Sequence, residues 1–245
     1  MRYSILTICT RNYRDAYSFS IASWLATRAK NVFIYTDDPT WKSSNRRVQI
    51  IPFFPKSADW LINVGRKPTA ALDLLDAQPL AENVVFLDID CYIRHEFGRL
   101  FKQDFDFLAT QIESHRTKCV SSGVWLFRNS EKARAVLQEW QRVQARNLAQ
   151  SKGVRPHYTS YSQWAFDEVC RKYERTGEIK VTIVSDQVYN RGITTRDPDW
   201  WDSNGIKQPL LGDLERDEVT VLHFQGNEYR SPALVKQVFA LWKKQ

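Results

Sequence analysis

The chain has 245 residues, of which 43% are hydrophobic and 13% aromatic, and it carries a formal net charge of +7. That length and apolar content exclude a disordered chain and suit one large packed domain or two small ones, with ample length to bury a core. The basic residues are dispersed, with no run of five. This pattern speaks for a solvated surface and against nucleic acid as a partner; an anionic substrate such as a phosphorylated sugar and peripheral contact with an anionic membrane both remain compatible.

Ser4 to Cys9 is a short apolar run with the character of a buried strand. Asp15 offers an N-cap to a helix on which Ala16, Phe19, Ala22, Leu25 and Ala26 recur at helical spacing. Asn31 to Tyr35 reads as a second buried strand, stopped by Thr36-Asp-Asp-Pro39, and Val48 to Phe54 as a third, ended by Pro52 and Pro55. Pro68 suits the first turn of a helix reaching about Asp76, after which Asn83 to Leu87 forms a hydrophobic strand ending in Asp88-Ile-Asp90. Alternating strands and helices predict a mainly parallel sheet with helices on both faces, an α/β fold.

The second half changes rhythm. Phe105 to Ala109 and Val120 to Phe127 read as strands, and Asn129-Ser130-Glu131 opens a long amphipathic helix through Trp140 and Val143. Ser160 caps a helix through Trp164, Ala165 and Val169; Ile179 to Val184 and Val219 to Phe224 are further strands, and Pro232 starts a last helix ending in Trp242. Residues 191–218 are polar and read as a long loop. There is no internal repeat and no linker that would divide the chain, so a single domain is expected over 1–245, with its change of rhythm after about residue 92 separating a first half, about 1–92, from a second, about 93–245. The four cysteines lack CxxC spacing and sit mostly in apolar segments, as free thiols of a reduced compartment do. The apolar start is too short for a signal peptide, and no run approaches the ~18 residues of a membrane span, so a cytoplasmic location is expected.

In parallel α/β sheets, ligands bind beyond the carboxyl ends of the strands. The polar clusters Thr10 to Tyr13, Thr36 to Asp38 and Asp88 to Asp90 all fall at such ends. Strand alternation places the two carboxylates of Asp88 and Asp90 on one face. They repel each other unless a cation joins them, and Mg²⁺ or Mn²⁺ favours such carboxylates together with phosphate oxygens. Taken one at a time, each candidate also has a plainer reading. A strand-end Asp-x-Asp can simply face solvent, His223 can be a satisfied core histidine, Lys67 and Asp37 surface residues, and Tyr13 a packing residue.

Three segments in order carry a family resemblance. Lys67-Pro-Thr-Ala-Ala-Leu-Asp-Leu-Leu75 through Asn83-Val-Val-Phe-Leu-Asp-Ile-Asp-Cys-Tyr92 resembles the DxD region of GT-A nucleotide-diphospho-sugar transferases, closest to glycosyltransferase families 8 and 77. Ser121-Ser-Gly-Val-Trp-Leu-Phe-Arg-Asn129 is similar to the strand that lies under the sugar in those families, and Val221-Leu-His-Phe-Gln-Gly226 to their late HxxG element. The resemblance implies a GT-A sheet and transfer of a hexose from a nucleoside diphosphate sugar, with UDP the expected nucleotide. The acceptor would be a hydroxyl on a glycan, lipid-linked or protein substrate, and the anomer would be retained. The same resemblance implies a nucleotide-binding half at about 1–92 and a sugar and acceptor half at about 93–245. It implies Mn²⁺ or Mg²⁺ as cofactor, with Asp88, Asp90 and His223 as metal ligands and Asp88 also facing the ribose. For the nucleotide-sugar it implies Thr10, Asn12, Tyr13 (stacking on the base), Asp37 (accepting the uracil imide N–H), Lys67 (on a phosphate or buttressing a DxD carboxylate), Ser122 and Gly226.

The chain departs from the family pattern at three places. Ser121 replaces the family asparagine. The DQ pair that approaches the anomeric centre is represented by Ser162-Gln163, so Gln163 is the catalytic candidate; the literal Asp186-Gln187 precedes Val-Tyr-Asn190 and looks like a later family segment. Arg230 takes the place of a lysine that usually follows HxxG. A haloacid-dehalogenase-type phosphatase also uses a strand-end DxD, but near the chain start and with a small residue after it, where this chain has Tyr92. The alternative left open is a non-catalytic nucleotide-sugar or glycan-binding protein on the same fold.

Overall fold

The computed structural model describes residues 2–10, 13–14, 18–53, 65–78, 82–113, 118–150, 162–194 and 219–225. The candidate residues Asn12, Gly226 and Arg230, the N-cap Asp15, Ser160 and the helix expected from Pro232 lie outside them.

The first half is a set of strand–helix crossovers. Strand β1 (Tyr3–Cys9) leads through helix α1 (Ser18–Leu25) to β2 (Ala29–Thr36) and then β3 (Val48–Pro52). Helix α2 (Lys67–Ala77) returns the chain to β4 (Asn83–Leu87). The second half supplies β6 (Phe107–Glu113), β7 (Lys118–Arg128), α3 (Glu131–Gln150), α4 (Trp164–Thr176) and β8 (Val181–Ser185). These strands form a seven-stranded sheet in the order β3-β2-β1-β4-β7-β6-β8. Strands β1 to β4 are parallel, β7 runs against both β4 and β6, and β8 is parallel to β6. The fold is therefore α/β, with a mixed, mainly parallel sheet flanked by helices.

Alternation along the central strands divides the core in two. In β4, Val84 and Phe86 face one cluster while Val85 and Leu87 face the other; in β7, Trp125 and Phe127 oppose Val124 and Leu126 in the same way. Helices α2, α3 and α4 cover the first face, where Trp125 stacks on Phe86 with ring centroids 4.6 Å apart and meets Trp140 edge-on at 5.6 Å. Helix α1 and a tight helical turn over Phe97–Lys102 cover the second. Because both faces of β4 are buried, Val84 to Leu87 form an unbroken apolar run.

A second, three-stranded sheet follows the order β5-β10-β9, made of β5 (Cys91–Ile93), β9 (Arg191–Thr194) and β10 (Val221–Gln225). The loop expected over 191–218 is thus corrected at its start. Arg191 to Thr194 is a strand because β10 pairs with it in parallel, a partner that local sequence does not announce. A four-residue helix α5 (Asp186–Tyr189) precedes it. Strand β5 is held onto α1 by Trp24 Nε1 donating to the Cys91 carbonyl at 2.9 Å and by the Ile93 N–H donating to Ser23 Oγ at 3.1 Å. No helix among the described residues is long and apolar enough to cross a membrane.

Candidate metal centre

Strand order reverses between β1 and β4: α1 carries the chain to β2 on one side of β1, and α2 brings it back to β4 on the other. The crevice beyond the carboxyl ends of those two strands is the switch point at which open α/β sheets bind ligands. Thr10 follows β1 there, and Asp88 follows β4.

The DxD pair does not lie in the strand. Strand β4 stops at Leu87, and Asp88 to Asp90 form a turn closed by the Cys91 N–H donating to the Asp88 carbonyl at 3.0 Å. The Asp88 N–H donates to the Gly123 carbonyl of β7 at 2.8 Å, which ties the turn to the neighbouring strand. The two carboxylates are brought toward His223 by this turn, where strand alternation alone would have needed β4 to continue to Asp90. Immediately after the turn, β5 pairs with β10 so that Cys91 stands opposite His223. His223 Nε2 is thereby placed 3.0 Å from Asp90 Oδ1 and 3.9 Å from Asp88 Oδ2.

Lys67, the first residue of α2, is buried with its Nζ 2.6 Å from Asp88 Oδ1 and donating to the Ser122 carbonyl at 3.0 Å. Asp88 is thus divided: Oδ1 faces the ammonium and Oδ2 faces the imidazole. Asp90 Oδ1 is buried and no well-aligned hydrogen bond reaches it among the described residues, although Nε2 is close. An acceptor left in that position is the kind of atom a cation satisfies.

Gly123 forms the wall against which the imidazole rests. A Cβ there would stand 2.5 Å from His223 Cε1 and 3.1 Å from Asp88 Oδ2, so only glycine allows both side chains their places. Behind the ring, His223 Nδ1 is 2.8 Å from Asn190 Oδ1.

Charge at the site follows from burial and proximity. Burial pushes the Asp88 carboxyl above its ordinary value; the Lys67 ammonium is the largest opposing influence, and Asp90 adds to the rise. Burial alone would lower the pKa of His223, but Cys91 and Asp90 outweigh it and hold the imidazole well above its usual range. Cys91 itself is pushed up to about 11 by burial, so its thiol is neutral at ordinary pH and the charge holding an imidazolium there is that of Asp90. The donor atoms of Asp90, Cys91 and His223 lie within 4.8 Å of one another. A hard ion shared with phosphate oxygens prefers the Asp88 carboxylate to a neutral thiol, and the mixture of carboxylate and imidazole suits Mn²⁺ better than Mg²⁺.

The other sequence candidates are placed as follows. Thr10 and Tyr13 are half-buried beyond β1, with the Tyr13 N–H donating to the Thr10 carbonyl at 2.9 Å, and Asp37 is half-buried at the end of β2. Ser122 and Gln163 are joined. Gln163 Oε1 accepts from both the Ser122 N–H and Ser122 Oγ at 3.0 Å, and its Nε2 donates to the Val120 carbonyl. Gln163 therefore spends both ends of its amide on β7, tying the start of α4 to the strand that carries Gly123. Sequence reasoning did not single out Gly123 or Asn190 as site residues. Gly123 lies in the segment quoted for the resemblance, whereas nothing local to Asn190 signals its contact with His223. Neither the protein-family models nor the curated proteins compared with this chain match it.

Proposed function

We propose that the chain is a metal-dependent glycosyltransferase of the GT-A type. It moves a hexose from a nucleoside diphosphate sugar, with UDP the expected nucleotide, to a hydroxyl acceptor, with retention of the anomeric configuration. The observation that carries this reading is the convergence of His223 Nε2 on Asp90 at 3.0 Å and on Asp88 at 3.9 Å, at the switch point of an α/β sheet. Asp88, Asp90 and His223 would hold a divalent cation, Mn²⁺ before Mg²⁺. When bound, that ion supplies positive charge for the departing diphosphate.

The chain's own residues do the positioning. Lys67 neutralises the inner oxygen of Asp88 and fixes the turn. Thr10, Tyr13 and Asp37, beyond β1 and β2, form the nucleotide side, with Tyr13 stacking on the base and Asp37 accepting the uracil imide N–H. Ser122 and Gly123 form the floor under the sugar, and Gln163 acts by holding that floor in place. The same engagement of Gln163 favours the second reading, a non-catalytic nucleotide-sugar-binding protein, because it draws away the one side chain assigned to the anomeric centre.

Calorimetric titration of UDP with and without Mn²⁺ tests the site. Binding is expected to require Mn²⁺ in the wild type and to be lost in Asp90→Asn, with the fold retained because Asp90 lies in a partly exposed turn. Unchanged affinity in the variant removes Asp90 from the site. Mn²⁺-dependent release of UDP from a UDP-hexose marks the enzyme, and binding without release marks the binding protein.

A further inference from the structure

Behind His223, on the ring edge away from the two carboxylates, three buried polar side chains form a closed network. Asn190 is 2% exposed and sits between α5 and β9. Its Nδ2 donates to Thr110 Oγ1 at 3.0 Å and to Ser121 Oγ at 2.9 Å, while Oδ1 lies 2.8 Å from His223 Nδ1. We propose that Asn190 is a positioning residue: it selects the Nδ1–H form of the His223 imidazole and thereby presents an unprotonated Nε2 to Asp88 and Asp90. The inference rests on the metal-centre reading above and adds the residue that orients its histidine.

The donors and acceptors leave one consistent arrangement. Thr110 Oγ1 donates its proton to the Val124 carbonyl at 3.1 Å, so it meets Asn190 as an acceptor. Ser121 Oγ accepts the Gly123 N–H at 3.1 Å as well as the Asn190 amide. With Nδ2 committed to two hydroxyl oxygens, Oδ1 must face the ring, and an amide oxygen at 2.8 Å requires a proton on Nδ1. Turning the amide over would take the Thr110 proton from the Val124 carbonyl. It would also require a bare Nδ1, and the neutral ring would then carry its proton on Nε2, which closes that nitrogen to a cation.

In the observed arrangement the neutral ring points a lone pair at two carboxylates, which is unfavourable until a cation or a proton lies between them. Histidines that ligate metals generally donate their second N–H to a carbonyl or carboxylate, and removing that partner typically lowers metal affinity about 10–100-fold. Topology explains how a residue 33 positions away reaches the ring: β10 pairs with β9 so that His223 stands beside Gly192, two residues after Asn190.

Two variants separate this role from a structural one. Asn190→Asp keeps an acceptor oxygen toward Nδ1 and loses both amide donors, and Asn190→Leu loses all three contacts at similar volume. Mn²⁺ affinity, read from the free-ion electron paramagnetic resonance signal, is expected to fall about 10–100-fold in Asn190→Leu. Asn190→Asp should stay within several-fold of the wild type even if both variants melt at lower temperature. Equal losses in the two variants, or wild-type affinity in Asn190→Leu, would overturn the proposal. Nitrogen-15 spectra of histidine-labelled wild-type protein, at a pH where the ring is neutral, decide it even where a variant does not fold. His223→Gln assigns the signal. A protonated Nδ1 and bare Nε2 are expected, and the reverse tautomer would refute the assignment. Nδ1–H in a protein that binds no Mn²⁺ would leave the positioning role standing and remove the metal reading instead.

Discussion

At the scale of single residues, Lys67 shows how burial decides between roles. The sequence leaves two open, contact with a phosphate or support of a DxD carboxylate, and at 1% exposure the side chain serves the second. Its Nζ lies on Asp88 and the Ser122 carbonyl and 5.3 Å from the centroid of the Phe86 ring, an interior position that a lysine tolerates only when paired. Lys67→Met should leave Asp88 as an uncompensated charge and cost about 3 kcal/mol, the lower end of the range for broken buried pairs because Asp88 keeps a quarter of its side-chain surface. For a chain of this size that corresponds to roughly 6–12 °C in melting temperature. A wild-type melting temperature combined with weaker binding of UDP, but not of uridine, would restore the phosphate role. Asp88, Asp90 and His223 could be picked out because the DxD directly follows an apolar strand, His223 lies within another, and both match a motif. Asn190 and Gly123 could not be assigned their roles, because those roles arise from the pairing of β10 with β5 and β9 and from the approach of His223 to β7, which join distant parts of the chain.

At the scale of elements, legibility followed burial. Strands β1, β4 and β7 are apolar on both faces and readable as runs, and α3 and α4 show their helical stripe. The three-residue β5, the four-residue α5 and β9 were not readable, since each is too short to show a period and takes its conformation from partners far along the chain. Charge pairing between helices is equally hidden, although a local i,i+3 pair accompanies it here. Glu139 of α3 accepts from Arg142 Nε at 2.7 Å and from Lys172 of α4 at 3.0 Å, and these hydrogen bonds, Arg142 first, lower its pKa to about 2. A carboxylate whose folded pKa is depressed stabilises the fold above its unfolded value and loses that contribution as pH falls through the folded one. Glu139→Gln should therefore melt below the wild type at pH 7, and the gap should close between about pH 4.5 and pH 2. A gap that persists at pH 2 would mean that packing of the side chain, rather than its charge, joins the two helices.

At the scale of the molecule, the two sheets are built by different means and meet at one imidazole. The large sheet brings Asp88 to the switch point, and the small sheet carries His223 to it by pairing β10 with the strand that directly follows the DxD turn. Proton and cation are expected to compete for Nε2, and this gives stability a pH dependence of two opposite signs. In the metal-free protein the His223 pKa is held well above its usual value, with Cys91 opposite it and the Asp90 carboxylate 3.0 Å from Nε2. A raised folded pKa contributes stability that is complete below the unfolded value of about 6.5 and is lost as pH rises toward the folded one. The contribution of His223 to metal-free stability should therefore decline above about pH 6.5. On the proposed metal reading Mn²⁺ would bind only the deprotonated ring, so the stabilisation it adds should grow over the same range, because a ligand held by the folded state raises stability as its occupancy rises. Melting temperatures measured from about pH 6 to pH 9, with and without Mn²⁺, are expected to diverge as pH rises, and His223→Gln should abolish both trends. A Mn²⁺ increment that is flat across that range, or that survives His223→Gln unchanged, would separate the histidine from the cation. It would then be left as a core residue paired with Asp90.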